Sequence, residues 1–162
     1  MSKLVHISCS PRTTTSHSSR VAKAFIETYA KKHPSNDTQC IDLWNINLPE
    51  LDETRVNITY KILFDQNLSD TERENWTQVQ ELAQSFADAD KYLFSLPMWN
   101  FGIPYKLKHF IDVVTLNGIT FDYSLEGGVK RRMTGKPVIL ICPSGTSYAS
   151  AHPEPHTVQW EF

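Results

Sequence analysis

Residues 95–112, Ser-Leu-Pro-Met-Trp-Asn-Phe-Gly-Ile-Pro-Tyr-Lys-Leu-Lys-His-Phe-Ile-Asp, hold the side chains best suited to chemistry. Pro97 and Pro104 fix φ, Gly102 permits close approach of another surface, and Met98, Trp99, Asn100 and Phe101 lie between them. A stiff loop of large flat side chains, set between a short apolar run and an amphipathic helix, suits the face of an aromatic cofactor. Trp99 and Phe101 would give such a ring its apolar wall, and Asn100 with neighbouring N–H groups its hydrogen-bond donors. Covering the core is the other use for these rings. A second candidate is Ser10-Pro11-Arg12-Thr13-Thr14-Thr15-Ser16-His17-Ser18-Ser19. It brings hydroxyls and free backbone N–H groups to a helix N-terminus, which carries about half a positive charge and attracts phosphate. A capped helix after a polar turn accounts for the same residues. No Gly-x-Gly-x-x-Gly or Gly-Lys-Ser/Thr occurs, so dinucleotide-fingerprint and P-loop readings lack support. A third loop, Pro143-Ser144-Gly145-Thr146, could close over the far side of a ring.

The elements that must position these loops alternate along the chain. Leu4–Cys9 reads as a first strand, and a helical period runs from Arg20 to the stop at Pro34 and Asn36. Gln39–Leu43 is a second strand, residues 45–52 are irregular, and residues 53–68 fit no clean period. Ser69 and Glu72 form a capping box ahead of a helix bearing Trp76, Val79, Leu82 or Ala83, and Phe86 on one face. Lys91–Leu96 is a third strand, and Leu107, Phe110, Ile111 and Val114 stripe the next helix. Residues 119–132 read as a small hairpin or flap turning at Gly127-Gly128, and Pro137–Cys142 is a fourth strand. This alternation predicts an α/β fold, a flavodoxin-like doubly wound parallel sheet of strand order 2-1-3-4, with the whole of residues 1–162 as one domain. Loops 10–19, 97–104 and 143–148 then share the carboxyl edge, where such sheets bind ligands.

Composition narrows the classes. The net charge of −2, without a basic stripe, argues against nucleic acid, and no apolar run is long enough to span a bilayer. Cys9, Cys40 and Cys142 sit in strand-like, burial-prone settings and read as reduced thiols of a cytoplasmic protein. None of the remaining signals carries a reaction. His152-Pro153-Glu154-Pro155-His156 lacks the one-faced helix and third ligand that a metal needs. Ser144-Gly145 lacks the flanks of a nucleophile elbow. His109 is expected on the solvent side of its helix. Lys130-Arg131-Arg132 reads as a solvated run, with contact to a dinucleotide phosphate as the alternative.

Ser10 with Ser16-His17-Ser18, then Pro97-Met98-Trp99-Asn100-Phe101, then Gly118-Ile119-Thr120-Phe121-Asp122-Tyr123 and Gly135-Lys136 resemble the FMN-dependent NAD(P)H azoreductase and quinone reductase family. The similarity runs in register from residue 3 to about residue 148. It implies an enzyme of flavodoxin-like fold, usually a homodimer holding FMN at its interface. Such an enzyme passes hydride from NADH or NADPH through the flavin to a quinone or azo compound, in ping-pong fashion. By the same resemblance Ser10, Ser16, His17 and Ser18 would bind the phosphate. Met98, Trp99, Asn100 and Phe101 would contact the flavin, with Ser144 and Gly145 at the ring edge, and Phe121 and Tyr123 would cover the substrate side. No side chain is then needed as a catalytic group, because the flavin carries the chemistry. Two features depart from the pattern: Trp99 stands where tyrosine is common, and the third loop lacks a second glycine. Family members continue through a fourth helix, a fifth strand and a last helix, whereas this sequence reaches Phe162 where that helix would begin, so no fifth strand is expected. Strand four would be an edge, either covered by a partner subunit or weakening the fold. A non-catalytic flavin-binding or interaction module is therefore the alternative to an enzyme. A response-regulator-type domain is disfavoured, because Ser8-Cys9-Ser10 stands where acidic residues would be needed.

Overall fold

The computed structural model of the protein describes residues 1–12 and 14–145. Four parallel strands form the central sheet: β1 (Lys3–Ser8), β2 (Asp37–Asp42), β3 (Lys91–Ser95) and β6 (Val138–Ile141), in the order β2-β1-β3-β6. Counting only sheet strands, this is the expected 2-1-3-4. The remaining two strands, β4 (Phe121–Ser124) and β5 (Gly128–Arg131), pair antiparallel as the predicted flap. Among the described residues β6 is an edge, with Val138, Ile139 and Leu140 all exposed.

Helix α1 (His17–Lys32) covers one face of the sheet, where Ala22 packs with Leu4 and Leu93, flanked by Phe25, Ile26 and Ile141. Helices α2 (Glu53–Leu63), α3 (Asp70–Ala87) and α4 (Tyr105–Val114) cover the other. There Val5, Ile7, Trp76, Val79, Ala83, Phe94, Phe110 and Val113 close a continuous core. None of the described helices is long and apolar enough to cross a membrane.

The caps explain where the helices begin. Ser69 and Glu72 form the anticipated capping box, each side chain bonded to the other residue's backbone N–H. Asp52 caps α2 by accepting from the Arg55 N–H at 2.9 Å, so the ambiguous residues 53–63 are helical. Their period was obscure because α2 buries only Ile58. At α1, Ser16 accepts from the Ser19 N–H, and the helix starts three residues before Arg20.

One polar chain runs inside the α1 face. His6 Nε2 and Ser95 Oγ share a hydrogen bond of 2.8 Å, and His6 Nδ1 lies 3.5 Å from Cys40 Sγ. This ties β3, β1 and β2 together and leaves neither ring nitrogen without a partner, as a buried imidazole requires. Burial holds the His6 pKa below its ordinary value, against an opposing pull from Asp42. Of the three free thiols Cys9 is buried, while Cys40, contrary to expectation, is exposed. Its strand lies beside the sheet's outer edge, where less of the chain covers it.

Candidate functional site

All four sheet strands end at one level, and backbone bonds fix it. The Leu43 N–H donates to Ser8 O, the Cys9 N–H to Ser95 O, and the Leu96 N–H to Ile141 O, at 2.9–3.0 Å. The loops leaving β1, β2, β3 and β6 therefore rise from a common carboxyl edge.

From β1 comes the hydroxyl loop. Ser10, Ser16 and Ser18 are 5%, 5% and 1% exposed, whereas His17 is exposed as the first residue of α1. Ser10 Oγ accepts from the Arg12 N–H, Ser16 and Ser18 share a 3.0 Å hydrogen bond, and the first N–H groups of α1 have no intrahelical acceptor. Hydroxyls withdrawn from water beside a helix N-terminus make a site for a small anion.

From β3 comes the aromatic loop, and its backbone is unusual. Trp99 and Gly102 exchange two backbone hydrogen bonds of 3.0 and 2.8 Å, closing a two-residue hairpin over Asn100 and Phe101. Both central residues have positive φ, 50° and 59°. That is type I′ geometry, which ordinarily selects Asn and Gly; Asn100 tolerates it, and Phe101 adopts it at a cost. Phe101 gains little burial in return, since it is 76% exposed. A large ring held out to solvent on a strained backbone marks a contact surface rather than a core plug. Met98 and Trp99 are half-buried beside it. Ser144 and Gly145 follow β6 at the same edge, both exposed, and among the described residues nothing lies within 4 Å of where a Cβ on Gly145 would project. Thr13, Thr146 and the His152–His156 motif fall outside the described residues.

Sequence reasoning missed the contribution of β2. Trp44 donates its indole N–H to Cys9 O at 3.0 Å, which lays its ring across the end of β1. Its centroid is 6.0 Å from that of Trp99 and 5.6 Å from that of Tyr105, both edge-on, and Lys106 Nζ sits 5.9 Å from the indole. A tryptophan two residues beyond Asp42, at a strand's carboxyl end, was the available signal.

The flap is placed elsewhere. It joins the end of α4 to the start of β6 and so hangs from the amino edge of the sheet. Phe121 lines an apolar groove of about 610 Å³ with Tyr92, Phe110, Val129 and Val138, while Tyr123 is exposed. Within one chain, Phe121 and Tyr123 are not brought to the edge that carries the other predicted residues. The basic run is exposed at all three positions, as expected, with Arg132 also bonded to Asp122 and Gly118 O and Arg131 at the rim of the groove. His109, by contrast, is not on the solvent side: it is half-buried and its Nε2 lies 2.9 Å from Pro49 O, pinning α4 to the loop after β2.

The electrostatics offer no nucleophile. Burial first, then Asp42 and Cys40, push the Cys9 thiol up to about 12, so it stays protonated near neutral pH. Burial also raises Cys142, and burial and Asp42 raise Cys40. The carboxyl edge has the shape and donors to grip an anion and shelve a planar ring, and among its described residues no thiol is activated.

Comparison with known proteins agrees with this geometry. A family model described as flavodoxin-like fold matches residues 2–162. An FMN-dependent NADH:quinone oxidoreductase of Desulfotalea psychrophila is 47% identical over 148 residues, 91% of this chain and 70% of that protein. A second, from Pseudomonas fluorescens, is 38% identical over 155 residues, 96% of this chain and 72% of that protein. Among solved structures, an FMN-dependent NADH-azoreductase of Bacillus anthracis in complex with FMN superposes with a TM-score of 0.80 at 29% identity, covering 94% of this chain and 73% of that one. The chain therefore belongs to the flavodoxin-like-fold family, together with these quinone oxidoreductases, and its sheet has the strand order of that fold.

Proposed function

We propose that this protein is an FMN-dependent oxidoreductase that takes hydride from NADH and delivers it to a quinone or azo acceptor. The observation that carries the reading is the meeting, at one sheet edge, of a buried hydroxyl cluster on a helix N-terminus and a strained aromatic hairpin. Their chemistry fits the two ends of FMN, an anionic tail and a flat ring. When bound, FMN supplies two-electron redox chemistry in alternate half-reactions, the ping-pong order. The chain's own residues bind and orient. Ser10, Ser16 and Ser18 with the α1 N–H groups grip the phosphate, and His17 stands at its outer side. Trp99 and Phe101 support the ring and keep water from one face, Met98 fills the space behind, and Asn100 with Ser144 and Gly145 offers donors to its polar rim. Names of relatives support NADH as the donor.

The reading includes a homodimer and a cytosolic setting, as one flavin-binding domain per chain. Flap placement supports the dimer, since this chain's own Phe121 and Tyr123 lie away from the carboxyl edge, where a second copy's could cover it. Free thiols support the reducing compartment. Purified protein should show flavin absorbance, bleach with NADH and recolour with a quinone. If stripped protein gains no thermal stability from excess FMN, the proposal fails, because a ligand of the native state must raise its melting temperature.

A further inference from the structure

Holding both Asn100 and Phe101 in the left-handed region is unfavourable, so something around the hairpin must over-determine it. The two hydrogen bonds between Trp99 and Gly102 close the turn, yet they do not fix its direction relative to the sheet. On its far side the hairpin runs into α4, whose start is anchored by buried Pro104 and Leu107 but has no side-chain hydrogen bond at its N-cap. Trp44 adds a constraint from the sheet. Its indole N–H is tied to Cys9 O on β1, and its ring meets Trp99 and Tyr105, one residue on each side of the hairpin and α4 start. Trp99 and Tyr105 are themselves 6.3 Å apart, so the three rings form a closed triangle. Lys106 Nζ, 5.9 Å from the indole, fixes the outer side.

We propose that Trp44 is a positioning residue for the flavin ring: it clamps the Trp99–Gly102 hairpin to the carboxyl edge of β1 through Cys9 O, without a hydrogen bond to the hydroxyls of Ser10, Ser16 or Ser18. The inference rests on the FMN reading above and deepens it. A clamp raises the fraction of protein whose hairpin is ready to receive the ring, and apparent affinity scales with that fraction. Each edge-to-face ring contact accounts for a factor of roughly two to ten. Two contacts are lost in Trp44→Ala, while Trp44→Phe keeps a ring but loses the bond to Cys9 O.

The test uses FMN and riboflavin binding to stripped full-length protein, with hydrogen exchange read at the Trp99 and Gly102 amides. Trp44→Ala should weaken FMN and riboflavin by the same factor, about tenfold or more, and speed exchange at both amides. Trp44→Phe should fall between it and the parent. Ser16→Ala should weaken FMN alone, since riboflavin has no phosphate, and Trp76→Phe, in the core of α3, should lower the melting temperature with neither effect. If Trp44→Ala binds both flavins as the parent does, or loses FMN selectively, the clamp is refuted while the FMN reading stands. A parent protein that binds neither flavin refutes both.

Discussion

Phe101 shows how one residue trades stability for contact. Its φ of 59° costs on the order of 1–2 kcal/mol for a side chain bearing a Cβ, and its 76% exposure returns little of that by burial. Ordinary large-to-small truncation destabilises, but here Phe101→Gly removes strain along with an exposed ring. The melting temperature of the flavin-free protein should hold or rise, by up to about 1 kcal/mol of stability, while FMN affinity falls at least about tenfold. Thermal denaturation and flavin titration of the same preparation check it; a lowered melting temperature with unchanged affinity would show that Phe101 serves the fold instead. The residue types of the hairpin were readable from sequence, since prolines, Asn and aromatic rings in one loop have few other uses. Its left-handed backbone was not, because Phe is seldom found there. Trp44 was hidden for a different reason: a lone tryptophan in an irregular stretch has no period, and only the sheet order places it against Trp99.

Helices α2 and α3 share the core through Ile58, Trp76 and Val79, and an ion pair also links them. Lys61 Nζ on α2 lies 2.6 Å from Glu72 Oε1 on α3, while Glu72 also accepts from the Ser69 N–H in the capping box. The Lys61 hydrogen bond first, and the Ser69 backbone next, draw the Glu72 carboxyl down from 4.5 to about 2. As pH falls through 4.5 the unfolded chain takes up a proton at Glu72 that the folded chain refuses until about pH 2. The bridge therefore contributes fully above pH 4.5, and its contribution is lost between there and pH 2. Lys61→Met should flatten the fall of melting temperature across that window relative to neutral pH; an unchanged slope would show that the bridge is not formed in solution. The elements themselves were largely legible, because β1, β3, α3 and α4 bury regular apolar faces and α3 carries its cap in the sequence. Helix α2 was not: Ile58 alone is buried, so its pattern blurs into the flanking loop, and Asp52 at its cap is the one local sign of its start.

Across the whole molecule, the two halves of the proposed site stand at opposite edges of the sheet. The grip and the shelf rise from the carboxyl edge, and the flap leaves from the amino edge between α4 and β6. On the proposed dimer, a complete site would need two copies, each lending its flap to the other. Mixing and reassembling a flap variant, Phe121→Ala with Tyr123→Ala, and a shelf variant, Trp99→Ala, provides the check. Random pairing makes half of the dimers mixed, each with one intact site, so about a quarter of all sites should regain full acceptor reduction. Recovery no greater than the sum of the two separate variants would mean that each chain completes its own site.

The flap is tied at its base to residues 116–118, through Thr120 and Leu116, Tyr123 and Asn117, and Arg132 and Gly118 O, while among the described residues 119–132 share no hydrogen bond with the hydroxyl loop or the aromatic hairpin. If the flap covers the acceptor as proposed, acceptor choice and coenzyme retention would sit on separately variable pieces of one gene. Randomising 119–132 should yield descendants that differ in which dyes or quinones they decolourise while each remains equally yellow.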